Sequence, residues 1–239
     1  MQSYATTVAQ ATGIARAQAT ASTVAQNQAA ATASAHATAE VQATMIAQKN
    51  LYTRSTRGTP TIKTALIIDN RLNWDVYPTN DGGGCAFNAN ALHSSVFKKD
   101  FYVPCIAHAT NYQNFALDIQ MRILQGDEGG VIFRANAINK NFYSFRIRTD
   151  GTYTLVLTRN DGHITPLVYD KSSSIKTGRG QSNTLSLIAR GSNFYLYINH
   201  QYVGSASDDT YTKGSLGVMA IDLQHRTHIA FNNLRVWRL

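Results

Sequence analysis

The stretch GGVIFRANAINKNFYSFRIRTDGTYTLV, residues 129–156, decides how the rest of the chain is read. Its β-branched and aromatic runs at 130–135, 142–148 and 152–158 are each too short for a globular helix and of ordinary strand length. Polar NAINKN separates the first two. Asp150-Gly151 separates the last two, and a glycine there accepts the positive φ that a tight hairpin needs. The stretch therefore predicts three consecutive antiparallel strands.

Working outward, the same punctuation recurs every 8 to 12 residues. Further strands are predicted at 115–123, 184–189, 194–198, 215–221 and 228–237. Asp161-Gly162, Gly191-Ser192-Asn193 and Asn199-His200 supply turns. Tyr195 and Tyr197 alternate with Phe194, Leu196 and Ile198, as expected of a strand with one wetter face. No helix of three turns is evident after residue 64. Eight or more strands over about 175 residues predict an all-β, two-sheet jelly-roll sandwich rather than a propeller or a βαβ fold.

Residues 129–156, together with NTLSLIARGSNFYLYINHQYVGSASD at 183–208, GSLGVMAI at 214–221 and FNNLRVW at 231–237, resemble the concanavalin A-like, laminin-G-like sandwich. More closely, the chain resembles the C-terminal sandwich of bacterial membrane-anchored proteins. In these a transmembrane helix, sometimes preceded by a serine/threonine kinase domain, is followed by Ala-Thr-Gln repeats. The likeness spans the chain but rests on strand patterning and carries no catalytic signature. It implies an extracellular domain that binds carbohydrate or another ligand, and no site residue is carried over from it.

Residues 1–50 are a different kind of polymer: 17 Ala, 8 Thr and 7 Gln, with Tyr4 the only aromatic residue. Such a segment builds no core of its own. All but one of its alanines, Ala30, fall on odd positions, and TTVAQ at 6–10 is echoed by STVAQ at 22–26. Period two is the pattern of a strand, while alanine is the best helix former. A step of seven residues reverses parity, so a helix would carry no lasting apolar seam. A helical stalk is favoured, with silk-like extended packing and disorder left open. Residues 51–63, LYTRSTRGTPTIK, read as a linker because Arg54, Gly58 and Pro60 interrupt the repeat. The sandwich is then 64–239.

The formal net charge is +8, but the Lys and Arg residues are scattered and no nucleic-acid motif accompanies them, so no nucleic-acid partner is expected. No run approaches the roughly 18 apolar residues of a membrane span. Membrane association is expected only through an anchor that is not in this chain. Cys85 and Cys105 are the only cysteines and are expected to form a disulfide, which points to an extracellular or cell-surface setting.

Glycoside hydrolysis ordinarily uses two carboxyl groups facing one cleft. The chain has two glutamates, Glu40 in the stalk and Glu128, and no glucanase-type carboxylate array. A non-enzymatic, lectin-like domain is therefore expected, with no cofactor. The alternative is a structural subunit that self-associates through residues 1–50 into a filament or bundle. Sugar recognition calls for aromatic platforms beside planar polar groups, and Trp74, Asp75, Tyr77, Tyr143, Arg146 and Tyr153 are the candidates for a glycan or other extracellular ligand. Their bland reading is core or sheet cover. Calcium is kept open through Asp69, Asp127 or Asp208-Asp209, although no loop shows ligand periodicity. Glu128 and Arg148 are candidates for a cross-strand ion pair, against the reading of two solvated side chains.

Overall fold

The computed structural model describes residues 2–68, 71–78, 82–160 and 162–239, with the helical side chains described from Ala9 onward except Ala11. The chain divides into two compact units, Met1–Gln48 and Lys49–Leu239.

The first unit is one continuous helix, α1, which runs over Gln2–Ser55 and so ends within the second unit. Helix propensity prevails over the period-two pattern, since alanine and glutamine lose little in a helix and no proline intervenes. The threonines adapt to it. Thr20, Thr23, Thr32 and Thr38 donate their hydroxyls to carbonyls four residues back, at 2.8 to 2.9 Å. Every described side chain between residues 9 and 47 is exposed, because the parity rule spreads alanine around the whole helix.

The second unit is a two-sheet antiparallel sandwich. In chain order its strands are β1 Ile62–Thr64, β2 Gly83–Asn88, β3 Ala91–Val96, β4 Phe101–Tyr112, β5 Phe115–Gln125, β6 Glu128–Asn136, β7 Asn141–Arg148, β8 Thr152–Thr158, β9 Ile164–Lys171, β10 Ser182–Arg190, β11 Asn193–Ile198, β12 Gln201–Ser207, β13 Gly214–Asp222 and β14 Thr227–Arg238. One sheet runs β12-β11-β10-β5-β14-β3-β2, with β1 added against β14. The other runs β4-β13-β6-β7-β8-β9. The jelly-roll expectation holds, and all eight predicted strands are present to within two residues at each end. The strands that the sequence reading passed over include β4, β9 and β12, each at the edge of a sheet. Pro104, Pro166 and Gly204 interrupt their patterns, and edges tolerate such residues because one side of the ladder is unpaired.

Alternation along the strands builds the core. Val131, Phe133, Tyr143, Phe145, Tyr153, Leu155 and Val218 point inward from the six-stranded sheet to meet Phe115, Leu117, Leu187, Phe194 and Phe231 of the other. Phe133 stacks on Tyr143 and meets Phe194 edge-on, each at 5.2 Å between ring centroids. Burial of each such ring contributes about 1.5 to 3 kcal/mol. Cys85 and Cys105 form a disulfide that ties β2 to β4.

Two features lie outside the sequence reading. Arg134 is fully buried, and its guanidinium donates to the carbonyls of Gln113, Gly191 and Tyr211 at 2.6 to 2.9 Å. The helix also passes the expected boundary by five residues. Leu51 and Tyr52 pack on the outer face of the larger sheet against Ala116, Ile188, Tyr197 and Trp237. The Tyr52 hydroxyl donates to the Asp118 carboxylate at 3.0 Å and lies 2.8 Å from His200 Nδ1.

Candidate functional site

Where one strand side fills the core, the other side of the six-stranded sheet carries a groove. Direct cross-strand pairing places Pro104, Met219, Gly130, Arg146, Thr154 and Tyr169 in one row across it. Gly130 is required in that row because a Cβ there would collide with the Phe145 carbonyl. It also leaves the floor open between Met219 and Arg146.

The groove has two adjoining compartments. The larger, about 380 Å³, is lined by Asp75, Tyr102, His108, Asn136, Lys140 and Phe142, among others. The smaller, about 180 Å³, includes Arg146, Thr158, Ile164 and Met219. Phe101, Tyr102 and Phe142 are common to both. The Tyr102 and Phe142 rings meet edge-on at 5.8 Å. Ile106, Ile132, Met219 and Ile221 complete an apolar cluster under them.

Charge is held at two places. At the rim of the larger compartment, Asp75 accepts the Ile106 N–H at 2.9 Å through one oxygen and His108 Nε2 at 2.6 Å through the other. An ionised carboxylate only accepts, so Nε2 carries the proton and Nδ1 is the basic nitrogen of the ring. His108 stays 40% exposed at its side chain. Deeper, Glu128 is 2% exposed and stands opposite Arg148 in register, with Arg148 Nε 2.8 Å from its Oε2. Arg146 Nη1 approaches Oε1 of the same carboxylate at 3.4 Å, and its Nε donates to Ser144 Oγ at 2.7 Å. Burial pulls the Arg146 guanidinium below its usual range, against the pull of Glu128. Burial likewise pushes the Tyr102 phenol up, with Arg146 working the other way.

Of the six residues read from the sequence as ligand candidates, Asp75 and Arg146 line the groove. Trp74 is 7% exposed within the core, and Tyr143 and Tyr153 turn inward from β7 and β8. The Tyr143 hydroxyl donates to Asp208, and that of Tyr153 to the Val203 carbonyl. Tyr77 donates to the Pro104 carbonyl at 3.0 Å. The sequence reading missed Tyr102, His108, Asn136, Lys140 and Phe142. For two of them the signal was there: Tyr102, Pro104, Ile106 and His108 fall on alternate positions of β4, a strand hidden by its proline.

Two of the calcium candidates, Asp127 and Asp208, are engaged otherwise. Burial pushes the Asp127 carboxyl up, but hydrogen bonds from the Gln224 and His225 backbones and the His225 ring outweigh this and hold it below its usual range. Asp208 accepts the Tyr143 hydroxyl and the Thr210 N–H. Asp69 lies outside the described residues, and among the described residues no group of three or more His, Cys, Asp or Glu side chains gathers to hold a metal.

Residues 80–237 match the family model of the 3-keto-alpha-glucoside-1,2-lyase-like domain. No curated protein matches the chain. Among solved structures, a carbohydrate binding module, CBM66, from Bacillus subtilis is similar over 72% of this chain and 99% of its own, at 18% identity and a TM-score of 0.58. A protein with a galectin-like fold, also from Bacillus subtilis, is similar over 76% of this chain and 96% of its own, at 13% identity and a TM-score of 0.55. At these identities the likeness is one of fold. The family match corrects the expectation of a non-enzymatic domain. That expectation rested on the missing pair of hydrolytic carboxylates, and a lyase does not need such a pair.

Proposed function

Because the chain belongs to the 3-keto-alpha-glucoside-1,2-lyase-like family, we propose that the groove of the six-stranded sheet binds a glucoside oxidised at C3 and cleaves it by elimination across C1 and C2. The observation that carries this reading is the Asp75–His108 pair at the rim of a groove walled by Phe101, Tyr102 and Phe142. Apolar faces beside convergent polar groups suit a sugar ring.

The chemistry follows from the ketone. A carbonyl at C3 acidifies the C2–H bond, because the charge left behind spreads onto the ketone oxygen. His108 takes that proton through Nδ1, held in the right tautomer by Asp75. The C2–H electron pair becomes the C1–C2 double bond, and the C1–O bond breaks with its electrons on the aglycone oxygen. The His108 imidazolium returns the proton to that oxygen, and the aglycone leaves as an alcohol. Lys140, in the same compartment, supplies positive charge for the oxygen at C3. Arg146, in the neighbouring compartment, faces the aglycone. The Cys85–Cys105 disulfide supports an oxidising, extracellular setting. In this reading α1 is a spacer. Among the described residues no helix is long and apolar enough to cross a membrane.

The test is turnover of methyl 3-keto-α-glucoside, followed by the appearance of the conjugated enone. His108→Ala should lower kcat/KM by about 10²- to 10⁴-fold with the fold intact by circular dichroism. Asp75→Asn should cause a smaller loss. Turnover in His108→Ala equal to that of the parent overturns the assignment of the base, and no turnover by the parent overturns the reading as a whole.

A further inference from the structure

On the opposite face of the sandwich, between β1, β5 and β14, lies a recess of about 500 Å³ lined by Lys63, Thr64, Gln120, Asn233, Leu234 and Arg235. We infer that this recess is an anion site, built for a small oxyanion: a carboxylate, sulfate or phosphate, free or carried on a sugar. The inference does not rest on the lyase reading and concerns the other sheet.

Three observations carry it. First, Lys63 and Arg235 are direct cross-strand partners in the β1–β14 ladder. Like charges placed directly opposite each other are destabilising unless something balances them. No carboxylate among the described residues pairs with Lys63. Arg235 also stands opposite Asp118 in the β5–β14 ladder, but that carboxylate is 3.8 Å away, at the limit of an ion pair, and already accepts the Tyr52 hydroxyl, so Lys63 is left without a counter-charge.

Second, the remaining polar groups leave donors over. Gln120 Oε1 accepts from Asn233 Nδ2 at 2.7 Å, which leaves the Gln120 amide its N–H groups. Two cations and an amide therefore offer protons around one recess.

Third, the backbone at the recess is strained. Asn233 adopts a φ of 54°, at an irregularity of β14 between Asn232 and Arg235. Residues held in the left-handed region gather at ligand sites. This one sets the Asn233 amide against Gln120.

The probes are sodium sulfate, inorganic phosphate, D-glucuronate and D-glucose, titrated calorimetrically into the full chain at constant ionic strength. Sulfate, phosphate and glucuronate should give saturable heats, and glucose none. The Lys63→Gln, Arg235→Gln double variant should bind sulfate at least about tenfold more weakly, a loss of about 1.4 kcal/mol. Lys63 is exposed, so Lys63→Glu is not expected to disturb folding. It should abolish binding while raising the unfolding midpoint without anion, since an opposed cation pair becomes an ion pair. Equal affinity for sulfate and glucuronate marks a site for the free oxyanion, and glucuronate bound more than tenfold tighter marks an acidic sugar as its carrier. Unchanged sulfate affinity in the variants, glucose bound as tightly as glucuronate, or no saturable heat from any probe overturns the inference.

Discussion

His93 and His228 face each other on β3 and β14, with His93 Nδ1 2.7 Å from His228 Nε2 and their rings 4.8 Å apart. His93 Nε2 lies 3.0 Å from the Asn88 carbonyl and must donate to it, so His93 Nδ1 accepts and His228 Nε2 donates. Protonation of His93 turns that acceptor into a second donor facing the first. Burial lowers the pKa of both rings below the usual histidine value, partly offset at His93 by Asn88 and reinforced at His228 by the charge of His93. A histidine with a lowered folded-state pKa lets the unfolded chain bind more protons. The stability it contributes is whole above the usual value of about 6.5 and is lost as pH falls through it toward the lowered folded value. The urea midpoint should therefore drop between pH 7.5 and pH 5, and His228→Asn should shrink that drop. An identical drop in the variant removes the pair as its source. None of this was legible in the sequence, because His93 and His228 are 135 residues apart.

The two long elements of the chain differ in how well they could be read. In β4 the residues that reach the groove alternate with the core residues Val103, Cys105 and Ala107, but Pro104 breaks the run, and only the position of β4 at the sheet edge makes that proline tolerable. In α1 the parity of the alanines was legible, but its consequence depends on propensity, which chooses helix over strand. A helix of 54 residues spans about 80 Å, and from Ala9 to Ala47 no described side chain is buried. Removal of residues 1–48 should leave the unfolding midpoint of the sandwich within about 2 °C of the full chain, by calorimetry. Any self-association of the full chain should vanish in that fragment and in the Ala17→Glu, Ala33→Glu double variant, by light scattering. Association that persists in both would locate it on the sandwich.

At the scale of the whole domain, Arg134 holds one end of the sandwich together. It extends from β6 of one sheet to the turn before β5, the turn between β10 and β11 of the other sheet, and the segment after β12. The guanidinium also lies over the Phe194 ring, 5.0 Å from its centroid. Arg134→Met keeps the apolar stem and orphans three carbonyls. Each buried group left unpaired costs about 1 to 3 kcal/mol, so the variant should lose about 3 kcal/mol or more in urea unfolding. Arg134→Lys should recover only part, because an ammonium cannot span the fork. A midpoint unchanged in Arg134→Met would show that the buried charge costs as much as its bonds return.

The sequence alone determined what depends on neighbours along the chain. Alternating apolar residues and Asp-Gly or Asn-His turns specified the central strands, and composition set the Ala-, Thr- and Gln-rich residues 1–50 apart from the rest. Tertiary structure decided which sheet each strand joined and which side of it faced out. Trp74, Tyr143 and Tyr153 carry the same ring chemistry as Tyr102 and Phe142, yet the first three fill the core and the last two wall the groove. The physical reason is that strand periodicity divides residues into two faces but does not say which face another sheet will cover. Asp75 and His108, Glu128 and Arg146, and Lys63 and Arg235 each became a pair only when the register of distant strands was set.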